Sequence, residues 1–279
     1  MSEVEAIAAN RANWDDRAEV HVRSRMYDVD AFLGDPQAVS SVVRNDLAVL
    51  AAHLPEGGIV GRSLLHLQCH IGTDTVSWAR LGAVEVHGLD LSPNSLRHAA
   101  RIAAADGRDI GWVEGDARFA SSVIERHFDV VVTSAGTIVW LPELTAWARS
   151  IRDLLAPGGV FLVRDDHPIL GALDFTPWEI TDDYLSGGGV RTYSDSGTYT
   201  EDSSGTITHT TNHEWRHDLG EVVGALVGAG LVIEALVELP YMDWRPFDEL
   251  VPCPQGWTLP EGKPRIPLNF AVVARRPLS

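Results

Sequence analysis

Long apolar runs are missing from this 279-residue chain, which excludes a membrane-spanning helix of about 20 apolar residues. Cysteine is almost absent. Cys69 and Cys253 lie far apart without metal-ligand spacing, so neither a disulfide scaffold nor a metal site is expected. The opening stretch MSEVEAIAANRANWDDRAE is charged and lacks the apolar centre of a signal peptide, so a cytoplasmic location is expected. Positive charge is in the minority, with 22 Lys and Arg against 39 Asp and Glu, a formal net charge of -17. That field repels a polyanion unless a local patch overrides it. The nearest thing to a patch, Arg275-Arg276, reads as a solvated strand end. The expected partner is therefore a small molecule, not nucleic acid or a membrane. No internal repeat is present, and neither the charge nor the composition defines an oligomeric state.

What is there is an ordinary hydrophobic fraction of 45%, on a chain long enough for a full core. Apolar runs alternate with helical patterns. Ser63–Cys69, Glu85–Leu91, Ile110–Asp116, Phe128–Ser134 and Val160–Arg164 read as strands. Thr73–Leu81, Asn94–Ala105 and Pro142–Leu155 read as the helices between them. Ser92-Pro93 supplies an N-cap and a first-turn proline, and Asp106-Gly107 stops that helix. Strand and helix in alternation predict right-handed crossovers and a parallel sheet covered on both faces. Residues 1–60 hold two predicted helices joined by an apolar link, Tyr27–Leu33, and form a helical cap. Residues 61–166 are the core. Residues 167–216, rich in Gly, Ser, Thr and Tyr, read as an extended hairpin or lid. Residues 217–279 complete the sheet with a helix, Asp218–Gly230, and strands Leu231–Leu239 and Asn269–Arg276. Between those strands runs Pro240–Pro267, rich in Pro and Trp, read as a functional loop without regular structure.

The stretch from Leu64 to about Asp166 resembles the class I S-adenosylmethionine (SAM)-dependent methyltransferases. In that family the first strand ends in D-x-G-x-G-x-G. Here His66-Leu67-Gln68-Cys69-His70-Ile71-Gly72 stands in its place, and only the last glycine survives. The turn must bring backbone close to a ligand, so Gln68, Cys69, His70 and Gly72 are expected around the cofactor. Asp90 ends the second strand, where a carboxylate can accept both ribose hydroxyls, with Leu91 beside it for the adenine. By the resemblance, Asp116 accepts the adenine amine and Ala117 presents a backbone N–H. Ser134 and Ala135, after the fourth strand, lie beside the transferred methyl. The acidic-Pro-Pro-aromatic motif of some N-methyltransferases is missing there, which puts a DNA base or protein glutamine acceptor in doubt. Leu154–Gly159 (LLAPGG) matches the family turn before strand five. Trp14-Asp15, His66–His70 and Trp244–Phe247 together resemble a bacterial small-molecule branch of the family.

The resemblance implies a doubly wound, Rossmann-like α/β fold. Its seven-stranded sheet is mostly parallel with an antiparallel last strand. It also implies SAM as cofactor and methyl transfer to a small acceptor, aromatic or amine-containing. Such a transfer is an in-line displacement in which positioning does most of the catalysis. A base is needed only if the acceptor must lose a proton. The candidates are Asp166 and His167, with Asp165 beside them, and Tyr27 in the cap. His21 reads as cap packing. His209, His213 and His217 recur at spacing four on a stretch read as strand, so no metal is expected. Of nine tryptophans, Trp140, Trp178, Trp215, Trp244 and Trp257 are expected outside strands and suit an aromatic pocket. Two rivals remain. A nicotinamide-dependent oxidoreductase would normally keep the turn glycines and a Tyr-x-x-x-Lys pair. A non-catalytic SAM-binding protein is the other.

Overall fold

The computed structural model describes residues 1–175, 178–185, 189–200 and 206–278. The first five strands are β1 (Ser63–Leu67), β2 (Val84–Asp90), β3 (Gly111–Glu114), β4 (Phe128–Ser134) and β5 (Leu155–Asp166). Four short strands pair outside the main sheet, β6 (Leu173–Phe175) with β7 (Trp178–Ile180) and β8 (Val190–Ser194) with β9 (Thr211–Trp215). Then come β10 (Val232–Leu239), a small sheet of β11 (Tyr241–Met242), β12 (Val251–Cys253) and β13 (Gly256–Thr258), and finally β14 (Asn269–Arg275). The helices are α1 (Glu3–His21), α2 (Val29–Gly34), α3 (Ser41–Leu50), α4 (Thr73–Arg80), α5 (Pro93–Ala105), α6 (Thr145–Leu154) and α7 (Leu219–Gly228).

The main sheet has seven strands in the order β10-β14-β5-β4-β1-β2-β3. β14 runs antiparallel to both its neighbours, and β1 to β5 are parallel. This is the doubly wound sheet expected from the alternating pattern. Its strands are nearly continuous apolar runs because both faces are covered. Leu65, Val131, Phe161, Val163 and Val272 point to one face and meet Trp147, Ile151 and Leu226 of α6 and α7. Leu64, Val130, Val132, Leu162 and Val273 point to the other and meet Leu50, Trp78 and Ile102 of α3, α4 and α5. No helix among the described residues is long and apolar enough to cross a membrane.

Four expectations need correction. The cap contains three helices where two were expected, because the apolar link Tyr27–Leu33 contributes to α2. It starts at the N-cap Asp28, whose carboxylate accepts from the Ala31 N–H at 3.3 Å. The helix expected from Pro142 starts at Thr145, where the Glu143 carboxylate takes the Thr145 N–H at 2.7 Å. Pro157-Gly158-Gly159 does not precede strand five but lies inside it. Gly158 has φ +79°, and a Cβ on Gly159 would stand 2.8 Å from the Ala156 carbonyl, so the strand kinks there and the β4–β5 register shifts. The loop 240–267 carries β11, β12 and β13, with Trp257 in β13. Trp178 and Trp215 likewise fall in β7 and β9.

Gly72 shows how tightly the site end of the fold is built. Its φ is +81°, and an added Cβ would lie 2.6 Å from Ala99 Cβ and 2.8 Å from the Trp112 ring. Gly72→Ala is expected to lose about 2–4 kcal/mol, from left-handed backbone strain plus overpacking. Denaturant unfolding checks this; a loss of a few tenths would mean that α5 and Trp112 give way freely.

Candidate functional site

A cavity of about 830 Å³ opens at the carboxyl ends of β1, β2 and β4. Parallel α/β sheets bind ligands there. Gln68, Cys69, His70, Gly72, Asp90, Leu91, Asp116, Ala117, Ser134 and Ala135 all line it, as do Tyr27 and Asp166. His167 does not.

The turn after β1 works without two of its glycines. Gln68 has φ +55° and His70 φ +49°, the left-handed values that glycine would adopt most easily. Side-chain bonds hold them there. Gln68 Nε2 donates to the Thr137 carbonyl at 2.9 Å. His70 donates its backbone N–H to Asp90 Oδ2 at 2.7 Å, and its Nδ1 lies 3.0 Å from Ser95 Oγ. Its Nε2 meets His21 Nδ1 at 2.8 Å, and His21 Nε2 reaches Thr198 Oγ1 at 2.6 Å. Burial holds both rings neutral, with pKa values pushed down to about 2 for His21 and about 3 for His70. The chain of contacts ties the first turn, the cap helix and residue 198 together. His21 is thus a packed, bonded cap residue.

Asp90 accepts from the backbone N–H groups of His70 and Ser92, leaving further lone pairs toward the cavity. Burial raises its pKa to about 6 against the lowering effect of those donors, and Asp15 raises it further. Asp15 caps α5: its Oδ1 accepts from Ser92 Oγ at 2.6 Å and from the Asn94 N–H at 3.0 Å. Asp116 is clamped by its neighbour, since Arg118 donates to both carboxylate oxygens and also reaches Glu3. Cys69 is buried and free, and burial pushes its thiol up.

At the other end, Ser134 Oγ donates to Asp46 Oδ2 at 2.5 Å. Asp165 accepts from Gly136, Thr137, Ile138 and Asp166 backbone N–H groups and from Thr137 Oγ1. It is an anchor for the loop after β4 and not a free base. Asp166 faces the cavity and accepts from Trp244 Nε1 at 2.9 Å. Burial, and then the charge of Asp165, push its carboxyl up to about 8. The base role expected for His167 does not fit its position. Its Nδ1 accepts from the Ile169 N–H at 3.1 Å, and its Nε2 lies 3.1 Å from Glu238. The strand alternation that points Asp166 inward turns its neighbours away. Tyr27 lines the cavity, but its hydroxyl is 2.5 Å from that of Tyr199, and burial raises its pKa well above the usual phenol value. A phenol so placed donates a hydrogen bond and is a poor base.

Three side chains of the site were not anticipated. Arg17 is the one Lys or Arg among the described cavity-lining residues. Asp74, in the first turn of α4, has its carboxyl raised to about 6 by burial. Asp243 pairs with the fully buried Arg164. The adjacency of Asp243 to Trp244 was the available signal. Trp140 and Trp244 line the cavity, and Trp14 meets His70 and Trp140 edge-on, both at 5.2 Å. His209, His213 and His217 go to separate partners: Asp16, Thr192 and the Leu141 carbonyl.

The methyltransferase-domain profile matches residues 65–161. A ubiquinone biosynthesis O-methyltransferase of Shewanella sp. (strain ANA-3) is 32% identical over 103 residues, which are 37% of this chain and 43% of that protein. The chain thus spans less than half the length of such relatives. Among solved structures, a SAM-dependent methyltransferase from Mesorhizobium loti superposes with a TM-score of 0.58 at 23% identity, covering 82% of this chain and 96% of that one. A glycopeptide N-methyltransferase complexed with SAM superposes with a TM-score of 0.54 at 20% identity, covering 86% and 88%. Residues 65–161 thus match a methyltransferase domain, and the fold is the one that these SAM-dependent methyltransferases share.

Proposed function

We propose that this protein transfers a methyl group from SAM to a small-molecule acceptor, aromatic or amine-containing. The observation that carries the reading is that residues of three separate motifs, Trp14 of the first, His66, Gln68, Cys69 and His70 of the second and Trp244 of the third, line one cavity at the carboxyl ends of the strands. The residues fit the cofactor. The positive-φ turn at Gln68, His70 and Gly72 lines the cavity where a methionyl group would lie, and Asp90 keeps free lone pairs for a ribose. Leu91 offers an apolar wall to the adenine, and Ala117 a backbone N–H. Arg17, over the Trp14 ring at 5.4 Å and close enough to His70 to depress its pKa, is the natural partner of a carboxylate. Bound SAM supplies the electrophilic methyl carbon.

The chain's own part is to position the acceptor and exclude water. Asp165 fixes the loop Gly136–Ile138 beside the methyl site, and Asp46 fixes Ser134. Residues 167–216 act as a lid in this proposal. Its strand β9 is strapped to α1 through Asn10, which exchanges two 2.7 Å bonds with the His213 backbone. The shared reading of Gln68 and His70 also opposes a nicotinamide cofactor, since their side chains occupy the space a pyrophosphate would approach.

Calorimetric titration with SAM, with its demethylated product and with NAD tests the proposal. Micromolar binding of the first two without NAD is expected. NAD binding alone, or no binding of any of the three, would overturn it.

A further inference from the structure

Past the cofactor turn, the cavity wall is built from the ends of β4 and β5 and from the residues after β11. Asp166 and Asp243 line it, and Asp74 of α4 lines the same cavity. Arg164 stands behind them fully buried, its donors engaged by Asp46, Asp243 and the Val42 carbonyl. Among the described residues at these strand ends, the one cation, Arg164, is already engaged, so the wall presents carboxyl groups. Aromatic rings flank them: Trp244 donates to Asp166 and meets Tyr199 edge-on at 6.1 Å. An independent observation points to a ligand in the same cavity. His66 lines the cavity, is 1% exposed and holds its Nδ1 2.9 Å from Thr75 Oγ1. Its Nε2 has no hydrogen-bond partner, an approach to the Ser134 carbonyl aside. A buried polar atom left open on a cavity wall lacks the group that would satisfy it.

We propose that the acceptor is a basic amine, bound as its ammonium ion against Asp166, Asp243 and the Trp244–Tyr199 rings, with Asp166 taking the proton that the nitrogen must lose. This rests on the methyl-transfer reading above. Carboxylates and ring faces both attract a cation. An anionic acceptor would meet like charge, and a neutral one would gain nothing from the carboxylates that a cation gains. The balance is simple. One ammonium proton passes to the Asp166 carboxylate, the nitrogen lone pair forms the N–C bond, and the C–S bond breaks with its electron pair leaving on sulfur. Burial and the charges of Asp165 and Asp243 hold Asp166 protonated in the empty site, against the opposing pull of Arg164 and the Trp244 N–H. An entering cation reverses that preference and expels the proton. A carboxyl that titrates near neutrality is matched to receive it back from nitrogen.

The test is calorimetry on the protein saturated with S-adenosylhomocysteine. Phenethylamine, 2-phenylethanol and phenylacetate are titrated in two buffers of different protonation enthalpy. Phenethylamine is expected to bind at least about tenfold more tightly than the alcohol, with release of a proton at neutral pH, and phenylacetate more weakly than either. Asp166→Asn is expected to abolish the proton release and most of the preference while keeping its affinity for S-adenosylhomocysteine. Equal binding of amine and alcohol, preference for the carboxylate, no binding of the amine, or unchanged proton release in Asp166→Asn would overturn the proposal. Failure to bind S-adenosylhomocysteine would instead sink the methyl-transfer reading, and this one with it.

Discussion

Arg164→Ala is expected to be the most destabilising single change in this protein, costing about 3–5 kcal/mol. The side chain is 0% exposed, and so is its partner Asp46, 2.6 Å from Nε. Its second partner, Asp243, is 5% exposed. Removing the guanidinium strands two buried carboxylates and leaves the Val42 carbonyl without its donor. The sign of the pH dependence follows from Asp46. Burial raises its pKa even with Arg164 in place, and without the cation it rises further. The variant's folded state then binds a proton that its unfolded state binds only at lower pH. Its deficit should therefore shrink as the solution is acidified and grow as pH rises. Denaturant melts across that range check both parts; a loss under about 1 kcal/mol at every pH would show that the network relaxes around the gap. The network also bears on function. Through Asp46 it holds Ser134, and through Asp243 it holds the segment that carries Trp244, so the acceptor wall should loosen with it.

The alternating strands and helices were legible because each carries a full period of apolar residues. The cofactor turn was legible only by position. Gln68 and His70 hide a glycine-like backbone behind side chains whose hydrogen bonds, to Thr137, Ser95 and His21, close over long distances in sequence. The three residues Asp165, Asp166 and His167 were indistinguishable as candidate bases. What separates them is where β5 ends and which way each side chain leaves it, a fact of strand register and not of residue type. The small sheet of β11, β12 and β13 escaped because strands of two or three residues are shorter than any period that could reveal them. The buried triad of Asp46, Arg164 and Asp243 escaped for a different reason. Its members lie on α3, on β5 and in the loop after β11, and nothing local marks an Arg in an apolar strand as paired.

Asp90 carries the second large effect. If it accepts both ribose hydroxyls, Asp90→Ala removes two charge-assisted hydrogen bonds worth roughly 1.5–3 kcal/mol each. Affinity for SAM should then fall by well over tenfold, to about a hundredfold or more. The alanine variant alone would be ambiguous, because Asp90 also satisfies the His70 and Ser92 N–H groups at 2.7 and 2.9 Å. Asp90→Asn separates the two effects: it keeps the size and one carbonyl oxygen for the turn but loses the charge. It should melt close to the parent and still bind SAM weakly. An analogue lacking the 2′-hydroxyl should lose affinity for the parent protein and little for Asp90→Asn. The pH profile supplies an independent check. Burial raises the Asp90 pKa to about 6, and the cofactor's hydroxyls favour the ionised form, so binding must expel the proton wherever Asp90 carries one. Affinity should be level above that pH and fall steadily below it, by about tenfold per unit once Asp90 is protonated. Asp74, whose carboxyl is also raised to about 6, lies in the same cavity. Only a pH dependence that disappears in Asp90→Asn belongs to Asp90. Calorimetry on both proteins from about pH 5 to about pH 8 reads all of this. Equal affinities and identical profiles would remove Asp90 from the cofactor site and leave it as the carboxylate that ties the first turn to α5.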